Sequence, residues 1–121
     1  MSGQRSEILL FEDIVSAAER LVALGAQAAP YPLGCDQTLG EGILFNIIIM
    51  GEAAKRLSSE IYERFDDIPW RQLARTRDRI IHHYEGVDWE VIQRIIDLDL
   101  PVLIPRIRQV RDIVSDEAAC G

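Results

Sequence analysis

Residues 43–57 read ILFNIIIMGEAAKRL, and this stretch decides the fold class. Its apolar residues recur at intervals of three and four, which is the period of one helix face. The residues on this face are Ile43, Leu44, Ile47, Met50, Gly51, Ala54 and Leu57. A half-buried strand would instead alternate apolar and polar residues, and no convincing alternation occurs in the chain. The stretch therefore predicts an α-helix.

Helical spacing extends to both sides of this stretch. Residues 11–22 carry one apolar face, and residues 100–114 carry another. The segment from Gly25 to Gly40 contains two prolines and is predicted as the one long loop. Sequential helices with short links bury such faces against one another as a bundle. We therefore predict an all-α antiparallel bundle of about four to six helices, forming a single domain over residues 1–121.

Capping residues predict the helix boundaries after residue 57. Ser58 or Ser59 can cap a short helix, and Pro69 suits the first position of the next one. We expect that next helix to run from Pro69 to about His83 and to stop at a left-handed Gly86.

The C-terminal third of the chain is predicted as two more helices. Asp88 caps the first of them, which runs from Trp89 to about Leu98. Pro101 lies in the first turn of the second, where its missing backbone N–H removes no helical hydrogen bond.

Composition and charge limit the classes of function. No apolar run approaches the roughly 20 residues of a membrane span, and the N-terminus lacks a signal-peptide pattern, so we expect neither membrane insertion nor secretion. Cys35 and Cys120 form no C-x-x-C pair, which favours a reducing, cytoplasmic location. The net charge of −7 argues against coating nucleic acid with the whole surface, although it permits a local basic patch.

One charged residue interrupts the apolar arc of the helix over residues 70–84. At about 100° per residue the apolar side chains gather on one side. These residues are Trp70, Leu73, Ala74, Ile80, Ile81 and Tyr84. Arg77 falls in the middle of that arc. A buried arginine is costly, so Arg77 either extends to solvent, pairs with a carboxylate or faces a cleft that admits an anion.

The opposite arc of this helix is basic. It carries Arg71, Arg75 and Arg79, with His82 beside them. Such a stripe is either a solvated face or a surface that binds phosphate groups. Asp78 lies one turn before His82 and could orient its imidazole. His82 and His83 could also simply stabilise the helix C-terminus.

An arginine and a histidine near one helix end are sufficient in principle for metal-free RNA cleavage. An imidazole with an ordinary pKa of about 6.5 can take the proton of a ribose 2′-hydroxyl. A guanidinium can stabilise the charge on a pentacoordinate phosphorus. A five-residue spacing of arginine and histidine is common, so the spacing alone does not establish this chemistry.

Residues 77–84, RDRIIHHY, resemble the R-x4-H-x-Y motif of HepT-like toxins in the HEPN (higher eukaryotes and prokaryotes nucleotide-binding) superfamily. The flanking strings GEAAK at 51–55, IPWRQ at 68–72 and GVD at 86–88 resemble that family in the same order. The resemblance implies a homodimeric RNase toxin that acts on tRNA or mRNA without a metal or cofactor. It also implies a partner, a minimal nucleotidyltransferase that acts as the antitoxin.

The resemblance assigns a role to each motif residue. Arg77 would contact the scissile phosphate, with the polar Asp78 in the same pattern, and His82 would act as general base or acid. Tyr84 would be the residue that the antitoxin blocks by attaching AMP. The basic residues Arg71, Arg75, Arg79 and His83 are the candidate RNA contacts. His83 departs from the acidic or small residue more usual before the tyrosine, so it could share the proton transfer or merely face solvent.

Two other classes of function remain open. Glu60, Glu63, Glu85 and Asp88 formally fit the E-x2-E…E-x2-D pattern of magnesium-dependent nucleotide pyrophosphatases resembling MazG. That chemistry needs the second pair on one continuous helix face, whereas Glu85 and Asp88 straddle Gly86. The other alternative is a non-catalytic helical subunit that binds a nucleotide or a nucleotidyltransferase.

Overall fold

The computed structural model describes residues 3–120, with the side chains of residues 6–83 and 85–120. These residues form six α-helices and no strand, which confirms the predicted all-α class. The helices are α1 Gly3–Ala28, α2 Gln37–Arg56, α3 Ser59–Arg64, α4 Trp70–His83, α5 Trp89–Arg94 and α6 Leu100–Cys120. None of them is long and apolar enough to cross a membrane.

The bundle is built around α2, which packs against α1 on one side and α4 on the other. Helix α1 also packs along α6, so the apolar faces predicted from the sequence meet in one core. Trp70 is 2% exposed at the start of α4, and its indole N–H donates a hydrogen bond to the Phe65 carbonyl at 3.0 Å. This buried anchor sets the position of α4 on the bundle.

Two helix starts form as their capping residues predict. The Ser58 hydroxyl accepts a hydrogen bond from the backbone N–H of Ile61 and begins α3. The Asp88 carboxylate accepts from the N–H groups of Glu90 and Val91 and begins α5. Each cap supplies a partner to backbone N–H groups that the helix itself leaves free.

The predicted loop from Gly25 to Gly40 is wrong at both ends. Helix α1 continues to Ala28 because its last residues are strong helix formers. Helix α2 begins at Gln37 because the Asp36 side chain caps it, accepting from the Leu39 N–H at 3.0 Å. The connection between them holds a 3-10 turn, Leu33–Cys35, and is therefore much shorter than predicted.

Two further boundaries differ from the prediction. No glycine among residues 3–120 has a positive φ, so Gly86 is not left-handed, and the chain leaves α4 through the 3-10 turn Tyr84–Gly86. The helix from Trp89 does not stop at Leu98 but passes through a π-helical turn, Ile95–Asp99, into α6. The wider turn accommodates Pro101, whose ring crowds the carbonyl four residues earlier in a regular α-helix.

Candidate active site

Helices α2 and α4 meet at Gly51. A Cβ atom on this glycine would lie 2.2 Å from the Cβ of Arg77 and 2.7 Å from the carbonyl oxygen of Leu73. Only a residue without a side chain lets the two helices approach this closely. The aliphatic stem of Arg77 packs against the α2 backbone here, and an arginine can therefore occupy the apolar arc of α4.

The Arg77 guanidinium lies among three other charged side chains, Glu52, Lys55 and Asp78. We call these four side chains the Arg77 cluster. Arg77 Nη1 donates a hydrogen bond to Asp78 Oδ1 at 2.7 Å, and Arg77 Nη2 lies 3.1 Å from Glu52 Oε2. Lys55 Nζ lies 3.5 Å from the same Asp78 oxygen. The Arg77 side chain is 23% exposed, and its Nε is buried without a hydrogen-bond partner among the described residues. The guanidinium is thus held near the surface by two carboxylates, while its Nε–H stays buried and unpaired within the described part of the chain.

Asp78 interacts with the Arg77 cluster rather than with His82. The hydrogen bond from Arg77 and the nearby charge of Lys55 hold the pKa of the Asp78 carboxyl below its ordinary value. This carboxylate is therefore ionised at neutral pH. No hydrogen bond joins Asp78 to His82 in the part of the chain that the structure describes, so the predicted contact between them is not formed.

His82 and His83 lie exposed in the last turn of α4. His82 lines an open surface hollow of about 640 Å³ together with Ile81, His83, Glu85 and Gly86. The imidazole is therefore accessible from solvent.

Arg77 and His82 lie on different sides of α4. A separation of five residues corresponds to about 140° of rotation and about 7.5 Å along the helix axis. Arg77 faces α2 at Gly51 and is not among the residues that line the hollow at His82. A single chain therefore does not bring the guanidinium and the imidazole into one cavity.

The apolar arc of α4 is only partly core. Trp70, Leu73 and Ile80 are buried as predicted, but Ile81 is 42% exposed. Ile81 follows Arg77 by one helical turn and so shares the outer edge of the helix rather than its buried face. The Tyr84 backbone lies in the 3-10 turn after α4, and its side chain lies outside the described residues.

The predicted basic stripe divides into two parts. The Arg71 guanidinium lies over the ring of Tyr62, 5.2 Å from its centroid, and this contact orients it away from the other arginines. Arg75 and Arg79 line a groove between α4 and α5, where Arg94 joins them. Arg94 is not among the predicted contacts, because it lies on a different helix and only the tertiary structure brings it to this groove.

The carboxylates of the pyrophosphatase-like pattern do not converge. Among the described side chains, no three His, Cys, Asp or Glu residues are arranged to hold a metal ion. Glu85 lies in the 3-10 turn, while Asp88 caps α5, so the two do not share one helix face. The geometry gives no support to that alternative.

A family model described as "Ribonuclease HepT-like" matches residues 32–110, which contain α2 to α5 and the Arg77 cluster. The chain belongs to the HepT-like ribonuclease family. The predicted family membership is therefore confirmed, whereas the roles of the individual motif residues in this HepT-like chain remain predictions.

Relatives from archaea and bacteria support this membership. A Thermococcus cleftensis protein named probable ribonuclease HepT is 31% identical over 108 residues, covering 89% of this chain and 98% of the relative. A Caldanaerobacter subterraneus protein, named provisionally as an RNase, is 34% identical over 82 residues, covering 68% of this chain and 70% of the relative. A Methanocaldococcus jannaschii protein with a similar name is 30% identical over 81 residues, covering 67% of this chain and 64% of the relative. No solved structure matches the chain significantly.

Proposed function

We propose that this HepT-like protein is a toxin that cleaves RNA without a metal ion. The observation that carries the proposal is the position of the Arg77 guanidinium. Gly51 lets α2 and α4 approach closely, and the Arg77 side chain lies at the edge of this contact with 23% of its surface exposed. A fixed cation at a rim is suited to contact a phosphodiester. The names of the relatives, which are ribonuclease names, agree with this chemistry.

The proposed reaction needs only a base, an acid and a cation. His82 takes the proton of the ribose 2′-hydroxyl, and the 2′-oxygen attacks the adjacent phosphorus. Arg77 stabilises the extra negative charge on the pentacoordinate phosphorus. The bond to the 5′-oxygen then breaks, and that oxygen takes a proton from an imidazolium. The products are a 2′,3′-cyclic phosphate and a 5′-hydroxyl.

The proposed active form is a homodimer, because Arg77 and His82 of one chain face different directions. A second copy can place its own His82 opposite Arg77 and so complete the site. Two exposed apolar side chains support this arrangement, since Phe45 on α2 is 63% exposed and Ile81 on α4 is 42% exposed. Phe45 precedes Glu52 by seven residues and therefore shares its helix face.

The proposed regulation is carried out by a nucleotidyltransferase antitoxin. Attaching AMP to Tyr84 would add bulk and negative charge two residues after His82. Such a group would repel the RNA backbone from the proposed site. The cheapest supporting observation is a neighbouring gene that encodes a small nucleotidyltransferase.

The test incubates the purified protein with tRNA and with mRNA in excess EDTA. Cleavage should persist in EDTA and should fall by about 100-fold or more in Arg77→Ala and in His82→Ala. Arg111→Ala is the matched control, because Arg111 pairs with Asp112 on α6, and it should cleave at the parental rate. A requirement for Mg²⁺, or parental activity in either variant, would contradict the assigned roles.

Mixing the two inactive variants tests whether the site is shared. A heterodimer of Arg77→Ala and His82→Ala retains one pair of intact residues if each site takes its arginine and its histidine from different chains. Activity should then reappear after subunit exchange, and it should not reappear if each chain holds its own complete site.

A non-catalytic partner subunit is the second candidate function. The pairing of Arg77 with Glu52 and Asp78 in its own chain favours it, because the cation already has counter-charges. Absence of cleavage together with tight binding of the nucleotidyltransferase would select this function.

A further inference from the structure

A groove lies between α4 and α5. It consists of two hollows of about 310 and 370 Å³ that share the residues Thr76, Arg79 and Val91. We call it the α4–α5 groove. The larger hollow also shares His83 and Gly86 with the hollow at His82. The groove therefore leads directly to the proposed general base.

Three arginines, Arg75, Arg79 and Arg94, line one half of the α4–α5 groove. None of the three makes a salt bridge within the described residues, although the chain has 20 acidic residues against 13 basic ones. Asp99 lines the same hollow without pairing with any of them. Five arginines outside the groove, such as Arg106, are held by carboxylates, whereas Arg20 bonds to the Asn46 amide and Arg71 lies over the Tyr62 ring. A set of unpaired cations around one concave surface is suited to bind an anion with several charges.

The other half of the groove is mainly apolar. Ile80, Val87, Val91 and Ile92 line it, and Thr76, Arg79, His83 and Asp88 add polar atoms, the Asp88 carboxylate being engaged as the cap of α5. An apolar hollow with a few hydrogen-bonding groups is suited to a planar heterocycle such as a nucleobase. Phosphate-binding and base-binding surfaces thus lie side by side.

We propose that the α4–α5 groove binds the single-stranded RNA segment beside the scissile bond. Arg75, Arg79 and Arg94 contact its phosphates, and one unstacked base lies against Val87 and Ile92. A base inside a duplex is stacked and cannot enter such a hollow, so the groove selects single strands. This inference rests on the proposed ribonuclease function and names the class of RNA that it cleaves.

The test measures the binding of a fluorescent 2′-O-methyl RNA of about ten nucleotides, which the proposed reaction cannot cleave, by anisotropy over a series of KCl concentrations. Each of Arg75→Ala, Arg79→Ala and Arg94→Ala should weaken binding about tenfold and reduce the slope of log K against log[salt] by about 0.7. Arg94→Lys should retain most of the affinity, whereas Arg111→Ala should leave affinity and slope unchanged.

Three further measurements address the base, the strandedness of the RNA and the source of the phosphate. Val91→Glu puts a carboxylate between the two hollows at a position that is 38% exposed, so it should fold normally and lose more affinity than any single arginine variant. The same RNA in duplex form should bind at least about tenfold more weakly than the single strand. ATP at the same phosphate concentration should not displace the single strand.

The outcomes separate the two proposals. If the parent cleaves RNA but the arginine variants bind it like the parent, the groove assignment is wrong and the ribonuclease function stands. Equal binding of duplex RNA, or complete displacement by ATP, also overturns the groove assignment. If the parent neither cleaves nor binds RNA in the presence or absence of Mg²⁺, the ribonuclease function fails and the groove assignment fails with it.

Discussion

Replacing Gly51 by alanine should separate α2 from α4. The new Cβ would lie 2.2 Å from the Arg77 Cβ and 2.7 Å from the Leu73 carbonyl oxygen, against about 3.4 Å for an ordinary contact. The helices would have to move apart locally by about 1 Å, and the atoms in the way are rigid parts of α4. Such overpacking costs about 3 kcal/mol, while alanine regains about 1 kcal/mol of helix propensity. The net loss in the free energy of unfolding is about 2 kcal/mol, or about 8 °C in Tm for a chain of this size.

The matched control for this change is Gly42→Ala in the same helix. A Cβ at Gly42 would lie 3.5 Å from the Leu24 side chain, which is an ordinary contact. This variant should gain up to about 1 kcal/mol from helix propensity alone. Thermal unfolding by circular dichroism at equal protein concentrations measures both variants.

RNA cleavage supplies a second measurement for Gly51→Ala. A displacement of about 1 Å at Arg77 should lower the rate about 100-fold under conditions where the protein remains folded. If Gly51→Ala melts at or above the parental temperature, as Gly42→Ala should, then the close contact between α2 and α4 is not a feature of the protein in solution.

Three other predictions concern the motif tyrosine and the stability of the bundle. Tyr84→Phe should cleave RNA at the parental rate yet accept no AMP from the nucleotidyltransferase, as mass spectrometry would show; loss of cleavage would instead assign the tyrosine to catalysis. Asp88→Ala removes the cap of α5 and should lower the free energy of unfolding by about 1 kcal/mol, and an unchanged urea midpoint would contradict the role of the cap. The hydrogen bond from Arg106 holds the pKa of Asp67 below its ordinary value. This pair therefore stabilises the folded protein at every pH above the ordinary pKa of an aspartate. The stabilisation is lost as the pH falls through the lowered pKa. The difference in Tm between the parent and Asp67→Asn should therefore be present at pH 7 and shrink towards about pH 2, and a constant difference would argue against the linkage.

Much of the fold follows from local sequence signals. The apolar spacing predicts the helices, and Ser58 and Asp88 predict two of their starts, because a cap needs only a side chain and the next few backbone N–H groups. The anomalous position of Arg77 is also visible in the sequence. Its cause is not, because Gly51 becomes its partner only through the alignment of two separate helices.

The predictions that the structure corrects concern residues whose neighbours are set by tertiary structure. Ile81 fits the apolar arc of a helical wheel, but the wheel does not show which part of the arc another helix covers. The contact of Asp78 with Lys55 crosses from α4 to α2, and such a pairing has no counterpart in local spacing. Arg94 lies on α5 and lines the same hollow as Arg75 and Arg79 of α4, and local spacing does not show such a meeting of two helices.

The opposed directions of Arg77 and His82 on α4 have a consequence for gene dosage. If the protein is the proposed toxin and cutting requires two chains, then at low expression the damage rises with the square of the number of its molecules rather than in proportion to it. A cell with a few stray copies is then nearly unharmed, whereas a modest loss of antitoxin produces a steep response. The rotation of about 140° between two side chains on one helix would thus give the cell a tolerance for leaky transcription.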